Sequence, residues 1–263
     1  MINSLSIVIV SCDSYSDAWD TFFNCFCIYW GDCCFKKYFV NNEKEISYCG
    51  VTKINTGPEI SWSSKVRTAL SRIDTEYVLF LLEDYFLTKK VDNEKINDYL
   101  LFMGNNHIDY LSFMPVKGMV KTGQMLISQI SEKNIYGKVL QPSIWRKDYL
   151  NKCLYDNDFS AWQFEAKQKI LSPIRVIGKD CCTSVLGIGW KNGILQGKWY
   201  PPTIRYLKKE GILIDTSKRG LLSFDKTIKY QMKSKVFNIM PVSMIKTTRK
   251  VLERIGYKFI TPN

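Results

Sequence analysis

The chain has 263 residues, is 46% hydrophobic, 14% aromatic and 24% charged, and carries a formal net charge of +12. That apolar content excludes a disordered chain, and the length suits one large α/β domain or a domain with a helical appendix. The positive balance favours an anionic partner, which charge alone leaves open between a nucleotide, a nucleic acid and an anionic membrane.

The apolar runs are too short and interrupted to span a bilayer, and Met1-Ile2-Asn3-Ser4 lacks the basic leader of a signal peptide, so a cytoplasmic location is expected. Leu5–Ser11 is an apolar run of strand length, followed by turn and cap residues from Cys12 to Asp17. From Ala18 to Tyr29, Trp19, Phe22, Phe23, Phe26 and Tyr29 recur at helical spacing, and Trp30-Gly31-Asp32 closes that helix. Short strands are expected over Lys37–Val40 and Gly50–Ile54, then a helix over Trp62–Arg72.

Tyr77-Val78-Leu79-Phe80-Leu81-Leu82 opens a run continuing to Leu87 that reads as a strand buried on both faces, with Glu83-Asp84 at the edge where an open α/β sheet binds its ligand. Two carboxylates there need a cation, hydrogen-bond donors or water, and a divalent metal carrying a diphosphate would meet that need. Capping a solvent-facing turn is the plainer alternative. Neither a Gly-x-Gly-x-x-Gly after a strand nor a P-loop occurs, which argues against a dinucleotide oxidoreductase and a P-loop kinase.

Further on, helices are predicted over Val91–Met103, capped by Asp92, over Trp145–Tyr155 and over Ala161–Leu171. Strands are predicted at Tyr110–Met114 and Ile174–Ile177, with loops and short strands between Val116 and Leu140. Glycine-rich stretches follow at 187–190 and 191–199. The nine cysteines (Cys12, Cys25, Cys27, Cys33, Cys34, Cys49, Cys153, Cys181 and Cys182) show no paired zinc spacing and read as unbridged, mostly buried thiols. His107 is the single histidine, and its Asn-rich setting suggests a loop between helix and strand.

Several stretches in order carry a resemblance. Ser11-Cys12-Asp13-Ser14-Tyr15-Ser16-Asp17-Ala18-Trp19, Tyr29-Trp30-Gly31-Asp32-Cys33, Trp62-Ser63, Leu81-Leu82-Glu83-Asp84-Tyr85-Phe86, Gln141-Pro142-Ser143-Ile144-Trp145, Ala161-Trp162-Gln163-Phe164-Glu165 and Gly193–Trp199 together resemble bacterial polysaccharide-biosynthesis glycosyltransferases of the GT-A fold. The resemblance implies a Rossmann-like nucleotide-sugar-binding domain over residues 1–225. It implies donor contacts from Ser11, Asp13, Tyr15, Trp62, Glu83, Asp84 and Lys198, acceptor contacts from Trp145 and Trp162, and Glu165 as the general base of an inverting transfer. Asp84 would hold a divalent metal, Mn or Mg. Glu83-Asp84-Tyr85 stands where those enzymes carry an Asp-x-Asp-like motif. Without the resemblance, Glu165 reads as a surface helix residue, Trp162 as a core aromatic and Lys198 as a solvated lysine.

Residues 226–263 form a mostly helical basic segment in which nine lysines and arginines, among them Lys246, Arg249, Lys250 and Arg254, face one acid, Glu253, with apolar residues interleaved. This pattern suits an anionic membrane surface at the inner face of the cell membrane, where a lipid-linked acceptor would be met. A helix packed on the catalytic domain is the alternative. Two readings compete with the transferase: a nucleic-acid-binding protein, against which no nucleic-acid motif appears, and a membrane-surface adaptor without activity.

Overall fold

The computed structural model describes residues 4–58, 60–113, 120–121, 127–130, 139–154, 158–169, 180–183, 190–239, 244 and 248. The chain divides into two compact units, Met1–Lys191 and Asn192–Asn263. The second begins ahead of the basic segment marked off at Lys226 by its charge. That segment beyond Ile239, with Lys246, Arg249, Lys250 and Arg254, lies outside the described residues save Met244 and Thr248.

The first unit is built on a nine-stranded sheet. Its parallel half comprises β1 (Leu5–Val10), β2 (Lys36–Asn41), β3 (Val51–Asn55) and β4 (Tyr77–Leu82), in the order β3-β2-β1-β4. All six residues of β1 are buried, as its unbroken apolar run requires of a strand flanked by neighbours and covered on both faces. Alternation assigns the faces. Phe39 of β2 meets Trp19 and Phe23 of helix α1 (Ser16–Trp30) at 5.0 and 5.4 Å between ring centroids. On the opposite face Val8, Val10, Val40 and Phe80 join one cluster with Val66, Ala69 and Leu70 of α2 (Trp62–Leu70).

The run from Tyr77 is two strands rather than one: it breaks at Glu83-Asp84, and β5 (Tyr85–Leu87) resumes after that turn. Helix α3 (Asn93–Asn105) begins where expected, with the Asp92 carboxylate accepting from the N–H groups of Glu94 and Lys95. It ends through His107, at φ 54° in an exposed turn, before β6 (Tyr110–Ser112). The far half of the sheet adds β7 (Val120–Lys121), β8 (Ile127–Gln129), β9 (Ser143–Arg146) and β10 (Asp180–Thr183).

One predicted helix is corrected. Trp145 lies in β9, which inserts antiparallel between β4 and β6 with Ile144 opposite both Leu79 and Leu111. The helix α4 starts only at Lys147 and runs to Leu154. Ser143-Ile144-Trp145 is buried throughout, and an apolar run this short shows no period that separates strand from helix. Helix α5 (Ala161–Lys169) opens with a capping box: Gln163 N–H donates to Ser160 Oγ at 3.3 Å, and Ser160 N–H to Gln163 Oε1 at 2.8 Å. The strand expected at Ile174–Ile177 and the glycines at 187 and 189 lie outside the described residues. Cys12, Cys25, Cys27, Cys33, Cys34, Cys49 and Cys153 form no disulfide; only Cys25 and Cys153 of these are buried, against the expectation of mostly buried thiols, and burial pushes Cys25 up to about 12 and Cys33 up to about 11.

After β11 (Trp190–Asn192), at the boundary of the units, the second unit holds a hairpin of β12 (Ile194–Leu195) and β13 (Lys198–Trp199). Its two-residue turn, Gln196-Gly197, takes φ of 50° and 71°, the left-handed pair that suits the twist of such hairpins. Helices α6 (Pro201–Lys209) and α7 (Phe224–Ile239) follow.

Candidate active site

The register of the parallel strands places three side chains at one level. Val10 is opposite Val40 on one side and Leu82 on the other, so the next residues, Ser11, Asn41 and Glu83, leave the carboxyl edge together. Ligands of open α/β sheets bind outside this edge. All three are buried.

A fourth residue, absent from the sequence reading, occupies the middle of this edge. Lys65 of α2 is only 6% exposed; its Nζ donates to Asn42 Oδ1 at 2.8 Å and to the Ser11 carbonyl at 3.4 Å. Burial pushes its pKa down, and nearby Cys12, Asp13 and Glu83 pull it partly back. The signal was present in the sequence: Lys65 precedes Val66 and falls on the same stripe of α2 as Ala69, where a core residue belongs. A lysine on such a stripe needs an acceptor, and the strand-end Asn42 supplies it.

Asp13 is bound more tightly than a vacant ligand-binding acid would be. Its carboxylate accepts from Asn41 Nδ2 (2.9 Å) and from the N–H groups of Asn42 (3.2 Å), Glu43 (3.0 Å) and Lys44 (3.0 Å). Burial raises its pKa, but these four donors outweigh it and leave the group below its usual 3.8. Asp13 thus shapes the loop after β2 rather than offering vacant acceptors. The Ser11 hydroxyl is likewise engaged, accepting from Trp19 Nε1 at 2.7 Å. Tyr15 is half-buried at the start of α1 and donates its backbone N–H to the Cys12 carbonyl at 2.9 Å.

The first turn of α2 is pinned from outside. Ser61 caps it by accepting from Ser64 N–H at 3.1 Å, while Ser61, Ser64 and Arg67 all donate to Asp158. Those donors hold Asp158 below the usual carboxylate range. Ser63 Oγ accepts from Phe159 N–H at 2.8 Å. The clamp fixes Trp62, which turns inward onto Phe80 and Phe164 (centroids 5.9 and 5.2 Å). Among the described residues its buried indole N–H meets no acceptor, a deficit of about 1–3 kcal/mol.

Glu83 and Asp84 form the turn between β4 and β5, Glu83 buried and Asp84 half-buried. Trp162 and Glu165 sit on α5. Trp162 is 58% exposed rather than a core aromatic; Glu165 is half-buried, its Oε1 accepting from Leu140 N–H at 2.7 Å. Trp145 is fully buried, its Nε1 donating to Ser143 Oγ at 2.8 Å and its ring against Tyr110 and Tyr149. It therefore has no face open to an acceptor, which corrects its expected role. Lys198 lies in the tight hairpin of the second unit, exposed on a strand and not on a mobile loop.

Among the described residues no group of three or more His, Cys, Asp or Glu side chains is disposed to hold a metal ion. The acidic pair still fits a magnesium-type ion, which takes one or two protein carboxylates and draws its other ligands from phosphate and water.

No family model matches the chain, and no curated protein sequence matches it. Among solved structures it is similar to S. aureus TarS, with a TM-score of 0.41 at 15% identity over 69% of this chain and 37% of that one. A form of TarS in complex with UDP gives 0.38 at 16% identity, covering 62% and 54%. An active-site mutant of LgtC gives 0.41 at 10% identity, covering 78% and 95%. The chain thus spans well under two thirds of TarS, and likenesses at these scores carry no conclusion about activity or ligand.

Proposed function

We propose that the chain is a GT-A-like glycosyltransferase that moves a sugar from a nucleotide-diphosphate donor to a saccharide or lipid-linked acceptor in the making of a surface polysaccharide. The observation that supports it most is the single level at which Ser11, Asn41 and Glu83 leave three parallel strands around the buried ammonium of Lys65. A fixed cation beside acidic and amide groups, at a sheet's ligand edge, suits a ligand that is anionic and rich in hydrogen-bonding groups.

In this reading Asp84, with Glu83 beside it, takes the diphosphate end of the donor. Mn or Mg held there would neutralise charge on the leaving diphosphate. The other roles fall to the chain itself. Asp13 holds the loop 41–44 in shape, Lys65 and Asn42 orient the donor, and the Trp62 N–H gains an acceptor when the donor arrives. Trp162 offers an exposed aromatic face to the acceptor sugar. Glu165, which accepts from Leu140 N–H, takes the acceptor hydroxyl's proton on the side opposite the leaving group, so the transfer inverts.

The test is a thermal-shift screen of uridine-, guanosine-, cytidine- and thymidine-linked sugars with and without manganese. A donor at a hundred times its dissociation constant stabilises by about 2.7 kcal/mol. Asp84→Asn is expected to weaken the intact sugar nucleotide far more than the bare nucleoside. Stabilisation by none of the donors would refute the proposal, and equal effects on both ligands would remove Asp84 from the diphosphate.

A further inference from the structure

Large exposed apolar side chains are unevenly spread. Of eleven among the described residues, seven fall in the second unit, including Leu213 at 89%, Phe224 at 75% and Met232 at 61% exposed. Over residues 192–239 the same unit carries ten lysines and arginines against three acids. Isolated exposed apolar residues need no explanation, but a concentration of them beside like charge does.

Helix α7 shows how the two are arranged. Phe224, Ile228, Met232 and Val236 recur every four residues and so form one ridge. Phe224, Met232 and Val236 are exposed and Ile228 is half-buried. Asp225, Lys229 and Lys233, spaced four apart, line one flank of that ridge. The other flank and the back anchor the helix to its own unit: Thr227 is 5% exposed, and the Tyr230 ring meets Tyr200 edge-on at 5.6 Å between centroids. The ridge is therefore a surface the unit leaves outward.

We propose that α7 docks the protein on an anionic lipid bilayer, the ridge entering the acyl boundary and the flanking lysines reaching the headgroup phosphates. The charge decides the occupant. The core of a protein interface is depleted in lysine, whereas an interfacial helix pairs apolar residues with lysines whose stems lie along the boundary and whose ammonium groups stay at the headgroups. This names the surface at which the transferase proposed above would meet a lipid-linked acceptor, and it rests on that reading only for its purpose. Lipid binding is measurable without any sugar transfer, so the two fail separately.

The experiment is co-sedimentation of the full chain with vesicles of phosphatidylcholine alone and with about one third phosphatidylglycerol, at physiological salt. The parent is expected to bind the anionic vesicles at least tenfold more tightly than the neutral ones. Each lysine near such a surface contributes about 1 kcal/mol, or about fivefold, so Lys229→Gln and Lys233→Gln together should weaken binding about twenty-five-fold. Phe224→Ser with Met232→Ser and Val236→Ser should weaken it at least tenfold. All five positions lie outside the core, and an unchanged melting temperature confirms that each variant is folded. Absence of parent binding to anionic vesicles overturns the proposal, as does undiminished binding by the folded serine variant. Equal binding to neutral vesicles overturns the electrostatic half. Self-association that the serine variant abolishes, or tight binding to generic DNA, in either case without lipid binding, assigns the ridge to a second copy or to nucleic acid instead.

Discussion

Asp13 and Glu165, one expected as a donor contact and the other as the general base, show how differently two carboxylates are used. The Asp13 carboxylate accepts four hydrogen bonds, three of them from consecutive backbone N–H groups. An asparagine there offers one carbonyl oxygen and turns an amide NH2 towards donors, so Asp13→Asn is expected to cost about 2 kcal/mol in denaturant titration. The pH dependence follows from its direction of shift. The folded pKa lies below the usual 3.8, so the unfolded chain binds this proton more readily. The stabilisation is complete above 3.8 and is lost as pH falls through the lowered value. Asp13→Asn should therefore lose less stability than the parent between pH 4 and 2; equal acid limbs would show that another carboxylate dominates there. Glu165→Gln separates anchoring from proton transfer, because the amide oxygen still accepts from Leu140 N–H. If Glu165 is the base, turnover falls about a hundredfold or more with melting temperature and donor affinity unchanged. Near-normal turnover with that anchor intact would leave Glu165 a structural residue.

The elements differ in how much of themselves the chain spells out. β1 and β4 were legible because strands buried on both faces must be apolar throughout, and β2 only by its short apolar end, Tyr38–Val40, before the polar Asn41-Asn42. α1 was legible from its aromatic spacing. β9 was not, since Ser143-Ile144-Trp145 has no period of its own and its place between β4 and β6 is set by pairing far along the chain. The acids after β4 could be located from sequence, whereas Lys65 and Asn42 become a pair only when α2 is laid across the strand ends. That placement depends on the first turn of α2 and the clamp on Asp158. Ser61→Ala removes the cap on Ser64 N–H and the hydroxyl that reaches Asp158, and should cost about 1 kcal/mol. Because Trp62 and Lys65 ride on the same helix, donor affinity should fall along with stability. A stability loss with donor affinity wholly unchanged would mean that α2 does not carry the donor contacts.

On the scale of the whole molecule, the charge of +12 acts in two regimes that salt can separate. Lys65 is a buried cation held by Asn42 and the Ser11 carbonyl, and interactions of buried groups are screened little by salt. Lys229 on α7 is exposed, and Lys233 is half-buried; their attraction to a charged surface decays within a Debye length, about 10 Å at 0.1 M salt and about 3 Å at 1 M. Raising salt from about 0.05 to about 0.5 M should therefore weaken anionic-vesicle binding by a hundredfold or more. The dissociation constant of the sugar nucleotide should rise by less than about tenfold, mainly through slower, less steered association. Parallel titrations of one preparation by co-sedimentation and calorimetry give both slopes. Should donor binding prove as salt-sensitive as vesicle binding, the donor would be held by surface charge, and the buried cation at the strand ends would lose its place at the centre of the site.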